Sequence, residues 1–232
     1  MNSWWVLALL ILSSSVPALA VFFWFRIARY PFSSVRFLLI LLVGATAYFP
    51  ALLMQGLSPQ NYLLDGRLGL IIRIFFPIAF TEELSRLLVL LVFFGIARKF
   101  DSAAHEPAFI YEPGSYSSIA YGSAVGLIAG FGFAILESAA LGASYSNIIL
   151  FRLFSASPIH GACGARVGSA VVLFRTNPLQ GIFRFLSAVV IHGIFNSMII
   201  MPGFAPIAAV LISLFSLVSV ILTIRNGIKV NQ

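Results

Sequence analysis

Long apolar runs, each ended by a short polar or proline-containing break, make up most of the chain. They predict helices at about residues 4–25, 36–54, 68–97, 118–142, 148–174, 182–201 and 203–224, because about 20 residues at helical rise cross a hydrocarbon core. The breaks Arg29-Tyr30-Pro31, Ser58-Pro59-Gln60-Asn61, Glu112-Pro113-Gly114-Ser115, Asn177-Pro178 and Met201-Pro202-Gly203 carry turn chemistry. The longest polar stretch, Arg98 to Ser118, is predicted as a soluble loop. The pattern implies an all-α, polytopic transmembrane bundle of about seven helices.

Composition agrees, with 60% hydrophobic and 9% charged residues and a mean hydropathy of +1.03. Soluble domains average roughly 45–50% apolar and 25% charged, so a soluble fold is excluded. One integral membrane domain, residues 1–232, is expected, with its core at about 68–201. The net charge of +7 sits mainly at the ends of apolar runs and forms no dense tract, which marks topology rather than nucleic-acid binding. With the N-terminus outside, the inner segments hold Arg26, Arg29, Arg36, Arg98, Lys99, Arg175, Arg184, Arg225 and Lys229, and the outer ones only Arg67 and Arg152. That bias predicts a cytoplasmic C-terminus, with the Arg98 to Ser118 loop on the same side. Ala18-Leu19-Ala20 resembles a signal cleavage site, but no basic residue precedes the run and Arg26 follows it, as for an uncleaved anchor.

Ionisable residues in mid-helix are the candidates for function, because each costs at least about 2.5–3.5 kcal/mol to insert at bilayer depth. Glu82, Glu83 and Arg86 lie in the third predicted helix, Glu137 in the fourth, His160 in the fifth, and His192 with Asn196 in the sixth. His192 and Asn196 are four apart and share a face, while Arg86 is four from Glu82 and three from Glu83, close enough to neutralise one carboxylate. A bland reading makes these groups interhelical glue. Two adjacent glutamates, a third on the next helix and two histidines are too costly for glue alone and mark a site. Gly122, Gly126 and Gly130, with Gly161, Gly164 and Gly168, permit close contact between the fourth and fifth helices.

A carboxylate placed against a water can act as general base, and His and Asn donors can stabilise an oxyanion. The ordered set Glu82-Glu83-x-x-Arg86, Gly130-Phe131-Gly132-Phe133-x-x-x-Glu137, His160 and His192-x-x-x-Asn196 resembles the PrsW-type glutamic intramembrane proteases over roughly residues 80 to 200. These are distantly related to the CAAX prenyl endopeptidases. The resemblance implies that Glu82 and Glu83 are the catalytic carboxylate pair and that His192 and Asn196 are the oxyanion donors. Glu137 stands where the related pattern has histidine, which makes His160 the candidate for the missing imidazole. Arg86 replaces the usual lysine and keeps a salt-bridge role. A membrane-anchored protein substrate, of which an anti-sigma factor is the known type, and a bacterial cytoplasmic membrane are implied, with no cofactor.

Two other chemistries fit the same residues. His160, His192 and a glutamate form a donor set that zinc accepts, although no His-Glu-x-x-His is present. A proton-coupled transporter also uses carboxylates and imidazoles, but no second half of the chain resembles the first. The single cysteine, Cys163, lies three residues from His160 and invites a thiol-nucleophile reading; a small buried packing residue is the simpler account.

Overall fold

A computed structural model describes residues 3–57, 66–101, 116–142 and 154–229. Its elements are α1 (Ser3–Ile27), α2 (Ser34–Thr46), α3 (Tyr48–Leu57), α4 (Gly66–Arg73), a π-helical segment (Ile74–Phe80), α5 (Thr81–Asp101), α6 (Tyr116–Gly142), α7 (Ala156–Leu173), α8 (Pro178–Ile199) and α9 (Ala205–Lys229). Among the described residues these form seven helical runs and no strand, in agreement with the predicted class. The predicted breaks at Ser58 to Asn61 and Glu112 to Ser115 lie outside the described residues, as do residues 148–153 of the fifth predicted helix. The helices flanking the predicted loop from Arg98 to Ser118 run into it, α5 to Asp101 and α6 from Tyr116, and its residues 102–115 lie outside the described residues. The sixth helix starts earlier than predicted: Asn177 caps it, its side chain accepting from the Gln180 amide at 3.1 Å, and Pro178 occupies the first turn.

Among the described residues, five stretches are long and apolar enough to cross a membrane: Leu7–Ile27, Ser34–Leu57, Ser117–Ala140, Pro178–Ile199 and Ala205–Gly227. Large apolar side chains such as Leu12, Leu53, Phe183 and Phe215 face outward from the bundle, as lipid requires and water would not tolerate over so large an area. Burial sets the Ser117–Ala140 stretch apart, at 83% against 22–39% for the other four. This stretch forms the body of α6, which is therefore the central helix. It packs most extensively on α7 and also meets α1, α2 and α9.

Glycine makes that arrangement fit. A Cβ at Gly126 would collide with the Gly164 carbonyl, one at Gly122 with the Gly168 carbonyl, and one at Gly130 with the His160 carbonyl. The two backbones thus touch along three successive turns. The opposite side of α6 repeats the device against α2, where Gly132 meets the Leu41 carbonyl and Gly44 meets the Ala129 carbonyl. Without a hydrophobic driving force between helices in lipid, close backbone approach supplies the packing energy.

The third helical run changes pitch just before its glutamates. Pro77 lies inside the π segment, where its ring and missing N–H are incompatible with a regular hydrogen bond to Arg73. The Thr81 hydroxyl donates to the Ile78 carbonyl at 3.1 Å and closes the irregular turn. Regular α-helix resumes at Thr81, so Glu82 and Glu83 occupy the first turn of α5.

Leucine at Gly126 or Gly164 should lower stability by about 1–3 kcal/mol or more through overpacking. Alanine at Gly95, which has open space around its Cα, should leave stability unchanged or slightly raised. Thermal unfolding of the purified variants in detergent measures both.

Candidate active site

Four helical runs bring their polar side chains to one place beneath the surface. Glu82, Glu83 and Arg86 come from α5, His160 from α7 and His192 from α8, and all five are 5% exposed or less. Glu137, on α6, is half-buried at the margin of the cluster. The Ser85 hydroxyl donates to the Ala47 carbonyl and docks α5 at the junction of α2 and α3.

Arg86 is the hub. Its Nη1 lies 3.0 Å from Glu83 Oε2, an ion pair in which the N–H is not aligned as a hydrogen bond. Its Nη2 lies 3.6 Å from Glu82 Oε2 and 3.0 Å from His160 Nδ1. The guanidinium carbon stands 4.4 Å above the Phe133 ring centre, a cation–π contact, and the same ring lies 5.2 Å from the His160 ring. Phe133 of the Phe-x-x-x-Glu motif therefore supports the charged cluster, a role the sequence did not disclose.

Hydrogen bonds assign the tautomers. A guanidinium only donates, so His160 Nδ1 accepts from Arg86, and Nε2–H donates to Glu137 Oε2 at 2.8 Å. At His192, Nδ1–H donates to Glu83 Oε1 at 2.7 Å, because Glu83 is the carboxylate partner of Arg86. His192 Nε2 consequently presents a lone pair, 3.7 Å from Glu82 Oε2. The two rings stand edge to face with centres 4.9 Å apart. Each imidazole thus has one nitrogen fixed by a glutamate.

Glu82 is held differently. Its Oε1 accepts from Gln55 Nε2 at 3.2 Å, a bond from α3 that sequence reasoning missed. Nothing in the motif pattern pointed to Gln55, which lies 27 residues upstream in an apolar run. Glu82 Oε2 is buried and has no hydrogen bond. Arg86 lies closer to Glu83, at 3.0 Å, than to Glu82, at 3.6 Å, and Glu82 Oε2 remains an acceptor without a hydrogen bond beside His192.

The structure brings six of the seven sequence candidates into one connected network. Asn196, one turn beyond His192 on α8, is half-buried. Among the described residues it makes no hydrogen bond to that network. Cys163 is fully buried on α7, where its thiol donates to the Ala188 carbonyl at 3.5 Å. That bond packs it against α8.

One carboxylate oxygen of Glu82 and one ring nitrogen from each of His160 and His192 lie within 4.8 Å of one another. That donor set suits a divalent transition metal such as zinc. Two observations favour the fit: the orphaned Glu82 oxygen, and imidazoles whose other nitrogens are tied to carboxylates. His160 Nδ1 would have to exchange Arg86 for the metal.

A family model described as PrsW family intramembrane metalloprotease matches residues 34–223, a span that includes every one of these residues. No curated protein and no solved structure matches the chain.

Arg86→Ala should destabilise the protein by about 3–5 kcal/mol, because it leaves a buried carboxylate pair without its cation. Denaturant unfolding in mixed micelles tests this, with Arg86→Lys expected to recover only part of the loss.

Proposed function

The chain belongs to the PrsW family of intramembrane proteases, and we propose that it hydrolyses a peptide bond of a membrane-anchored protein at Glu82. The observation that carries this reading is the buried Glu82 Oε2, free of hydrogen bonds and flanked by two oriented imidazoles. Family membership favours hydrolysis over a proton-relay role for the same groups.

The residues divide the work as follows. Glu82 Oε2 and His192 Nε2 are two acceptors 3.7 Å apart, so one water can give a hydrogen bond to each and direct a lone pair at the scissile carbonyl carbon. Glu82 takes the proton as the C–O bond forms, then passes it to the amide nitrogen as the C–N bond breaks. Gln55 fixes the other Glu82 oxygen and so sets the direction of Oε2. Glu83 holds His192, and Glu137 holds His160. Asn196 is the donor proposed for the developing oxyanion, since His192 Nε2 in this tautomer accepts rather than donates. Burial removes competing water and strengthens each of these interactions.

The convergence of Glu82, His160 and His192 supports a second form of the same reaction. A divalent metal held by these three residues would polarise the substrate carbonyl and lower the proton affinity of a bound water.

The basic ends of α1, α8 and α9 support a cytoplasmic C-terminus. The substrate class suggested by the family resemblance is an anti-sigma factor in a bacterial cytoplasmic membrane.

Purified protein in detergent should cleave a single-span membrane substrate, and Glu82→Gln should reduce kcat by about 10²–10⁴ while leaving the fold intact. Full activity in Glu82→Gln would overturn the proposal. A strong chelator added to the same assay separates the two forms: lost cleavage assigns the metal, and undiminished cleavage assigns Glu82 as sole base. Gln55→Leu should lower kcat about tenfold or more with KM little changed, as expected for loss of one hydrogen bond to a charged group.

A further inference from the structure

A second polar cavity lies among α6, α7, α8 and α9, away from the glutamates. Ser123, Arg166, Ser169, Arg184, Ser219 and Thr223 line it. Ser123 is seven residues into α6, Arg184 six into α8, Arg166 seven from the end of α7 and Thr223 six from the end of α9. The helices alternate in direction, so all four positions fall about 10 Å from one end of the bundle. That end also carries Arg26, Arg29, Arg36, Arg175 and Arg225. His160 lies about 9 Å further along α7 from Arg166, so the two sites occupy different depths.

The cavity brings two guanidiniums together without a counter-ion. Arg166 uses Nη1 on the Ala162 carbonyl at 3.0 Å, and among the described residues neither Arg166 nor Arg184 pairs with a carboxylate. Ser169 and Thr223 donate to backbone carbonyls within their own helices. Ser123 and Ser219 make no such bond among the described residues, and Ser123 is a buried residue of the cavity's lining. Like charges at this depth repel in a medium that screens them poorly. A bound anion removes that repulsion, and the planar, forked donors of arginine match phosphate oxygens. The site lies about 10 Å from the arginine-bearing end of the bundle, where a lipid headgroup would approach it.

We propose that this cavity binds a phosphate group, held by Arg166 and Arg184 and by the hydroxyls of Ser123 and Ser219. The phosphate of an anionic lipid headgroup and free phosphate present the same chemistry. Thermal unfolding in detergent, with added phosphatidylglycerol, phosphatidylcholine or inorganic phosphate, distinguishes them. Phosphatidylglycerol should stabilise the native protein and phosphatidylcholine should not. Arg184→Gln should need at least tenfold more phosphatidylglycerol for the same shift, and Arg184→Lys, which keeps the charge but not the fork, should fall between that variant and the native protein. Arg184 is exposed, so its replacement leaves the packed core intact; Arg166→Gln then tests the half-buried partner. Equal stabilisation by inorganic phosphate, with the same dependence on Arg184, would assign a soluble ligand to the site. Stabilisation that is identical in native protein and Arg184→Gln, or absent with both phosphate sources, would overturn the proposal.

Discussion

A guanidinium buried among membrane-spanning helices sets the terms for everything around it. Arg86 is 1% exposed, and water cannot reach it to share its charge. Glu83 and Glu82 compensate from the same helix, His160 accepts from α7, and Phe133 offers its ring face from α6. Beyond α5 itself, these partners stand on two helices, α6 and α7, that must both lie within a side chain's length of it. The glycine contacts of α6 with α7 bring the Phe133 and His160 backbones that close. Packing and electrostatics are thus one requirement: a wider α6–α7 spacing would leave the charge partly unpaired, at a cost no apolar contact offsets.

The same hub sorts the two adjacent glutamates into different tasks. Glu83 faces Arg86 and fixes His192, so its oxygens are committed to structure. Glu82 shares Arg86 at longer range, takes one hydrogen bond from Gln55 and keeps one oxygen unbonded. Neighbours on a helix point about 100° apart, which is how one turn supplies both a support and a reactive group. The π-helical segment at Pro77 ends immediately before this turn. An irregular turn of that kind sets the rotation at which α5 resumes, and with it the directions of both carboxylates.

Much of this was legible in the sequence because membrane insertion is unforgiving of charge. Seven apolar runs emerged as seven helical runs, and the mid-helix Glu, Arg and His residues emerged as one network. The glycine repeats foretold the α6–α7 contact, since few other roles need small residues at every fourth position. Gln55 and Phe133 were missed for opposite reasons. Gln55 is a single neutral amide in an apolar helix, and its partner is remote in sequence. Phe133 is one of 23 phenylalanines, so its cation–π role has no compositional mark. The expected pairing of His192 with Asn196 followed from a shared helix face, yet periodicity says nothing about which ring nitrogen is free. That depends on Glu83, a residue from another helix. Helix ends were misplaced where a cap decided them, as Asn177 does for α8.

The two arginine-centred sites occupy different depths of the bundle and solve their charge differently. Around Arg86 the protein supplies its own carboxylates; at Arg166 and Arg184 it supplies none among the described residues. The central claim concerns the first: Glu82 and His192 act on one water as a unit. Cleavage rates of Glu82→Asp, His192→Gln and the double variant test it most directly. The account predicts that the double variant is no slower than the slower single one. Losses that multiply would show two groups acting independently and contradict a shared site.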